Sequence, residues 1–384
     1  MPELLIDATR LVGRLVKGRS PTGIDRVCLA YIRRYAPLSR LVLRKGRLGV
    51  ALPKAPSQRL FSLLLERGER HAWSLSNVIT RAELSRGEER SHRGSLLLNV
   101  GHSGPERRSY GEWLQRKRLR PIFMVHDLIP VTHPEYCRPA EQARHVHRID
   151  TVLRTAAGVV TNSKNTLHAL STYATDRGLA MPPALAAPLA PVTFSDEVRE
   201  RPLSERYFVV LSTIEPRKNH WLLLHVWRRL VERLGEKAPR LVVIGQRGWE
   251  CENVLDLLER SHLLRGFVIE KRRCSDADLE NYLRHAEALL FPSFAEGYGL
   301  PLVEALSLGV PVIASDLPVF REIADDIPEY LDPLDGTGWL NCVESYCSSD
   351  GRLRAEQILR MARFTAPTWS AHFQLFEQLL ERVS

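Results

Sequence analysis

Residues 288–315 read ALLFPSFAEGYGLPLVEALSLGVPVIAS, and the order of residue types in this stretch decides the fold. Ala288 to Pro292 is a short apolar run, the pattern of a strand buried on both faces. Gly297 and Gly299 then free the backbone, and Pro301 suits the first turn of a helix running from Leu300 to Leu308. Val310 to Ala314 is a second buried strand. Strand, glycine loop, helix and strand make a βαβ unit, and such units build a parallel sheet with right-handed crossovers.

Upstream the same alternation continues. Tyr207 to Thr213 (YFVVLST) reads as a strand, followed by the turn EPRKN with Asn219 placed to cap a helix. That helix carries Leu223, Val226, Trp227, Leu230 and Leu234 at helical spacing. Arg240 to Gly245 and Gly266 to Glu270 are further strands, and Ser275 to Glu287 is an amphipathic helix. The first half alternates less clearly. Leu4 to Asp7, Ser95 to Val100, Pro121 to His126 and Gly158 to Thr161 read as strands. Ile24 to Tyr35, Pro139 to Ala156 and Asn165 to Tyr173 read as helices. Gly46 to Arg93 carries little pattern, and the proline- and alanine-rich stretch Met181 to Pro202 holds a linker near 190–203. With 384 residues, two α/β domains are expected, with a cleft between them.

Hydrophobic and charged fractions of 44% and 26% are those of an ordinary globular protein. No apolar run approaches the roughly 18–20 residues of a membrane span. The start, MPELLIDATR, has neither the basic end nor the apolar core of a signal peptide, so a cytoplasmic location is expected. Cys28, Cys137, Cys251, Cys274, Cys342 and Cys347 are scattered without a CxxC pair, which gives no support to a zinc ribbon or redox motif. The net charge of +9 gathers at Arg107-Arg108, Arg116-Lys117-Arg118 and Lys271-Arg272-Arg273. A polyphosphate ligand or an anionic membrane surface is one reading of such clusters, and dispersed solvated arginines are the bland explanation for most of the charge. Without a helix-turn-helix, RNP or zinc-finger signature, nucleic acid ranks low as a partner.

In parallel sheets ligands bind beyond the carboxyl ends of the strands. Three loops there carry chemistry. Phe294 to Ala305 offers glycines leading to a helix N-terminus, a setting for phosphate, with Glu296 in the loop and Glu304 inside the helix to hold two hydroxyls of one ligand. The bland alternative is a glycine turn before an amphipathic helix with a solvated Glu304. Ser212 to Asn219 places Arg217 and Lys218 where an anionic diphosphate would be held as a leaving group without metal; the alternative is an exposed basic turn. Val125 to Pro130 places His126 to donate to a substrate hydroxyl and Asp127 to orient it or act as a base. Here the alternative is a core-edge histidine and a turn aspartate.

Together these loops resemble the GT-B glycosyltransferases of family 4. Its signature is a Glu, seven residues and a second Glu, as in Glu296 to Glu304. EGYGLPLVEAL, GVPVIASDLPVFREI and the turn STIEPRKN fit it in the second half. VHDLIP, the following HPE of His133 to Glu135, and VVTNSKNT resemble the bacterial mannosyl- and rhamnosyltransferases of polysaccharide assembly. FTAPTWSAHFQLFEQLL is similar to the family's last helix, which crosses back to the N-terminal domain.

The resemblance implies two Rossmann-like domains facing across a cleft: 1–195 for the acceptor, 203–365 for the nucleotide-sugar donor, and a returning helix at 366–384. It implies a retaining, metal-independent transfer from a nucleotide-diphosphate sugar, with GDP-mannose or a related deoxy sugar expected, to a saccharide or lipid-linked acceptor. The expected setting is surface polysaccharide (lipopolysaccharide) synthesis in the cytoplasm, with peripheral contact at the inner face of the membrane. By the same resemblance Glu296 contacts the donor sugar, Glu304 the ribose, and Arg217 and Lys218 the diphosphate. His126 lines the sugar site near the reacting carbon, beside Asp127, while Gly297, Tyr298, Gly299 and Leu300 complete the donor loop. Gly23, in Pro21-Thr22-Gly23-Ile24-Asp25-Arg26, takes the place of the family's glycine-rich loop with one glycine instead of a pair.

Asp276-Ala277-Asp278 imitates a metal-binding DxD but opens a helix, where acids favour the dipole. His145 and His147 lie two apart on a helix and do not share a face. Neither metal nor cofactor is expected. Two other readings stay open: a nucleotide-sugar epimerase, and a non-catalytic GT-B-fold partner in a polysaccharide assembly complex.

Overall fold

Strands and helices alternate along the chain and assemble two largely parallel sheets, in a computed structural model that describes residues 3–18, 22–66, 92–195, 197, 199–348 and 351–384. Pro21 and residues 67–91 of the unpatterned stretch lie outside the described residues. The chain divides into two compact units: Met1–Val131, Ala140–Leu189 and Trp369–Ser384 form the first, Thr132–Pro139 and Ala190–Thr368 the second.

In the first unit the strands are β1 (Leu4–Asp7), β2 (Ser39–Lys45), β3 (Leu48–Ala51), β4 (Leu96–Asn99), β5 (Arg120–Val125), β6 (Gly158–Thr161) and β7 (Ala184–Ala186). They pair in the order β3-β2-β1-β4-β5-β6-β7, all parallel except the β2–β3 hairpin. Leu5, Val42, Leu97, Phe123, Val125 and Val159 pack on one face under the helices Arg108–Lys117, Glu141–Thr155 and Lys164–Asp176. The hairpin had little visible pattern because β2 interleaves Arg40, Arg44 and Lys45 with its apolar residues, and β3 is an exposed Leu48 followed by three partly covered residues. β7 lies in the proline- and alanine-rich stretch and takes its register from β6.

The helix Trp369–Val383 belongs to the first unit. His372, 1% exposed, holds it there: the Tyr31 hydroxyl lies 2.9 Å from Nε2, and Nδ1 lies 3.0 Å from the Pro188 carbonyl. Phe373 and Phe376 set their edges against the Tyr31 ring.

The second unit has β8 (Tyr207–Leu211), β9 (Arg240–Ile244), β10 (Val268–Lys271), β11 (Leu289–Phe291), β12 (Val312–Ser315) and β13 (Glu329–Leu331), in the order β10-β9-β8-β11-β12-β13. β8 explains why its run is continuously apolar. Phe208 and Val210 face a cluster with Trp227 and Trp339, while Tyr207 and Val209 face a second cluster with Leu302 and Phe320. Both faces are covered, so alternation disappears.

The observed boundaries depart from the expected spans. Residues 132–139 join the second unit through ring contacts of Tyr136 and Arg138, that unit resumes at Ala190, and the returning segment starts at Trp369.

Candidate functional site

In the second unit the chain order reverses at β8, whose neighbours are β9 on one side and β11 on the other. Loops leaving the carboxyl ends of β8 and β11 therefore part there, making the crevice where open α/β sheets bind ligands. Arg217 and Lys218 follow β8, and Glu296 follows β11.

Pro216 opens the short turn Pro216–Lys218, and Asn219 ends it in the left-handed region at φ 54°. Asn219 was expected to cap the next helix, His220–Leu234. Its side chain makes no cap; the amide donates instead to the Pro333 carbonyl at 2.8 Å, fastening the turn to a neighbouring loop. The turn is stitched to the acidic loop by two bonds: the Phe294 N–H donates to the Arg217 carbonyl (2.9 Å), and Arg217 Nη1 donates to the Ala295 carbonyl (2.6 Å).

These links bring three expected residues together. Glu296 Oε2 lies 2.9 Å from Arg217 Nη1, Oε1 pairs with Lys218 Nζ, and the Ser293 hydroxyl donates to Oε1 at 2.7 Å. Arg217 Nη2 pairs in turn with Glu215 Oε1 at 2.8 Å. Burial would raise the Glu296 carboxyl, but the charges of Arg217 and Lys218, with hydrogen bonds from Lys218 and Ser293, outweigh it and hold it at about 2. Burial and the Arg217 charge lower Lys218, and burial raises Glu215.

Gly299 has φ +122°, and a Cβ there would lie 2.8 Å from the Phe320 ring, so the loop needs this glycine; Gly297 is half-buried and Tyr298 buried beside it. Leu300 opens the helix Leu300–Ser307 with Pro301 in its first turn. Glu304 is 3% exposed, which excludes a solvated helix face.

The first unit holds a separate group. His126 follows β5 and is 5% exposed. Its Nε2 is 2.8 Å from the Val100 carbonyl, which fixes the proton on Nε2 and leaves Nδ1 an acceptor. Burial lowers its pKa, so the ring is neutral at pH 7. Asp127 Oδ1 accepts from the Ile129 N–H at 3.2 Å, while the ring of His126 is oriented by Val100. Around them stand His102, at φ +55°, and His145, whose Nε2 donates to the Asp127 carbonyl while Arg148 donates to its Nδ1. Gly23 is exposed and opens the helix Gly23–Tyr35, capped by Thr22 and Asp25. Asp25 is 1% exposed and paired with Arg10 and Arg14.

Several residues escaped the sequence reading. Asn162 donates to the His126 carbonyl at 2.8 Å; its only signal was its place at a strand end. Ser293, three residues before Glu296, precedes the loop Phe294 to Ala305 and has no signal of its own in the sequence. Tyr136 stacks on Phe294 with centroids 5.0 Å apart and rings 4° from parallel, and Arg138 covers the Trp249 indole at 4.7 Å. Nothing in the sequence signals those contacts. Of the decoys, Asp276 and Asp278 lie in the first turn of Asp276–Arg284, whose N-cap Ser275 accepts from the Asp278 N–H. His145 is buried while His147 is exposed, on different sides of their helix.

Comparison with known proteins bears on the fold and on the second unit's sequence. Against solved structures the whole chain aligns with Anabaena Alr3699/HepE, crystallised with UDP and glucose, at a TM-score of 0.68 and 14% identity, covering 100% of both chains. The fold is GT-B. Residues 192–328 match the family described as "Glycosyl transferases group 1". O-antigen chain mannosyltransferase B of Escherichia coli is 29% identical over 231 residues, 58% of this chain and 60% of that protein. The phosphatidyl-myo-inositol mannosyltransferase of Mycolicibacterium smegmatis is 31% identical over 173 residues, 44% of this chain and 43% of that protein. The chain thus spans between 60% and 27% of the length of these curated relatives, the lower figure being that for the serotype-specific mannosyltransferase WbdA of Escherichia coli. Among the described residues, no helix is long and apolar enough to cross a membrane.

Proposed function

We propose that the protein is a retaining, metal-independent glycosyltransferase that moves a sugar of the mannose or rhamnose type from a GDP-sugar to a saccharide or lipid-linked acceptor in surface polysaccharide synthesis. The observation that carries this reading is the Arg217–Lys218–Glu296 cluster at the chain-order reversal of the second unit, within the residues that match the group 1 family. Two cations withdrawn from water favour a diphosphate and the charge that grows on it as it leaves. Glu296 accepts from sugar hydroxyls and Glu304 from the ribose, with Gly297, Tyr298, Gly299 and Leu300 at the helix N-terminus completing the donor loop. The neutral His126 accepts a sugar hydroxyl at Nδ1, with Asp127 beside it, and Gly23 serves the phosphates and acceptor.

In the transfer, the bond from the anomeric carbon to the phosphate oxygen breaks as one to the acceptor oxygen forms on the same face. The acceptor's proton passes to the departing phosphate, so the protein contributes positioning and electrostatics. Relatives that are mannosyltransferases support the sugar class. The exposed Lys45, Arg47, Arg116 and Arg118 of the first unit, beside Leu48 at 64% exposure, suit a peripheral contact with the anionic inner face of the cytoplasmic membrane.

The test is a thermal-shift screen against GDP, UDP, dTDP, ADP and CMP in EDTA. GDP at about one hundred times its dissociation constant is expected to add roughly 2.7 kcal/mol, and Lys218→Ala and Glu304→Ala to abolish the gain. Silence from every nucleotide, or a response only with added metal, would overturn the reading.

A further inference from the structure

Arg217 and Lys218 are already paired in this structure, and the partner they share is Glu296. Arg217 Nη1 serves both the Ala295 carbonyl and Glu296 Oε2, Nη2 serves Glu215, and Lys218 Nζ lies on Glu296 Oε1. The Glu296 side chain is 9% exposed, so water does little to stabilise it once a cation is taken away. A diphosphate that engages Lys218 and Arg217 competes with this carboxylate for the same two cations.

We infer that Glu296 is a placeholder for the diphosphate, and that its displacement makes the site prefer a sugar nucleotide to the free nucleoside diphosphate; the inference rests on the transferase reading. The exchange involves hydrogen bonds and ion pairs only. When a sugar nucleotide enters, its phosphates take the cations and its sugar hydroxyls donate to the displaced carboxylate. When a bare nucleoside diphosphate enters, the cations are satisfied but Glu296 is left buried with Ser293 as its remaining donor. Leaving a buried charge short of partners is costlier than forming one bond is favourable. The asymmetry acts at the end of the cycle too. Once the sugar has gone to the acceptor, Glu296 reclaims Lys218 and Arg217 and drives the nucleotide out. Glu296 is thus a specificity residue for the leaving product as well as a contact for the sugar.

Equilibrium binding decides it. GDP and GDP-mannose are titrated into the full chain by calorimetry, with UDP and UDP-glucose in parallel, and the pair that binds the wild type is scored. In Glu296→Gln the free diphosphate is expected to bind more tightly by about tenfold, the size of one charge-assisted hydrogen bond. The sugar nucleotide gains nothing or weakens, and product inhibition tightens in step. Glu215→Gln is the control for charge alone, because it removes a carboxylate paired with Arg217 but not with Lys218; it is expected to shift both ligands by the same factor. Ser293→Ala takes away the last donor the displaced carboxylate keeps, so it is expected to move the ratio the opposite way from Glu296→Gln, weakening the free diphosphate more than the sugar nucleotide. Equal weakening of both ligands in Glu296→Gln, or an equal gain like that of Glu215→Gln, overturns the placeholder and leaves the transferase reading standing. A wild type that binds neither pair overturns both.

Discussion

A Cβ at Gly245 would lie 1.9 Å from the Ser212 carbonyl oxygen, backbone against backbone, at a φ of +155°. Carbon and carbonyl oxygen settle at about 3.3 Å, so Gly245→Ala must drive the two loops apart by roughly 1.4 Å. That motion breaks a local ladder: Ser212 N–H to Ile244 O, Ile214 N–H to Gln246 O and Gly245 N–H to Lys271 O, at 2.9–3.1 Å. Losing two of these at about 1 kcal/mol each, with 1–3 kcal/mol of backbone strain, amounts to about 3–5 kcal/mol. For a unit of this size that corresponds to a melting temperature lowered by roughly 6–20 °C. Differential scanning calorimetry reads it, since a chain of two units gives separable transitions where their stabilities differ. Ser212 also begins the loop carrying Arg217 and Lys218, so nucleotide binding is expected to fail at temperatures where the variant is still folded. An alanine variant within about 1 kcal/mol of the wild type would refute the close approach as the reason for glycine.

Burial depresses His372 to about 4, while in the unfolded chain it titrates near 6.5. Its contribution, about 3 kcal/mol, is therefore complete above pH 6.5 and lost as pH falls towards 4. Denaturant melts across that window should fall with pH in the wild type and flatten in His372→Phe. Tyr136→Ala removes the stack on Phe294, about 0.5–1.5 kcal/mol beyond buried area, and denaturation should show that loss while Tyr136→Phe restores the wild-type value, since only the ring is used. Ser163 accepts from the Thr166 N–H at 3.0 Å and caps Lys164–Asp176. Ser163→Ala should cost about 1 kcal/mol in equilibrium unfolding, and no loss would remove the cap from the account.

How far the sequence could be read depended on whether an element was decided by its own residues. Strands β8, β9, β11 and β12 were legible because burial on both faces forces a continuous apolar run, and the helix Leu300–Ser307 because glycines and a proline mark its start. β3 and β7 take their shape from the strands they pair with, and their own residues carry too little pattern. The charged loops were legible as residue types: Arg217, Lys218 and Glu296 could be named. What was not legible was that they hold one another, because a 78-residue separation in sequence closes only through the pairing of β8 with β11. Asn219 illustrates the converse. Its residue type suits a helix cap, yet a carbonyl from a distant loop takes its amide.

The segment Thr132–Pro139 has a consequence for exchanging parts between related chains. The second unit is written in two separated passages, 132–139 and 190–368, with first-unit sequence on both sides of the shorter one. A chimera joined at a single point near residue 190 would carry the recipient's passage against the donor's Phe294 and Trp249. Crossovers that preserve those ring contacts must transfer both passages together, unless the two parents already agree at Tyr136 and Arg138.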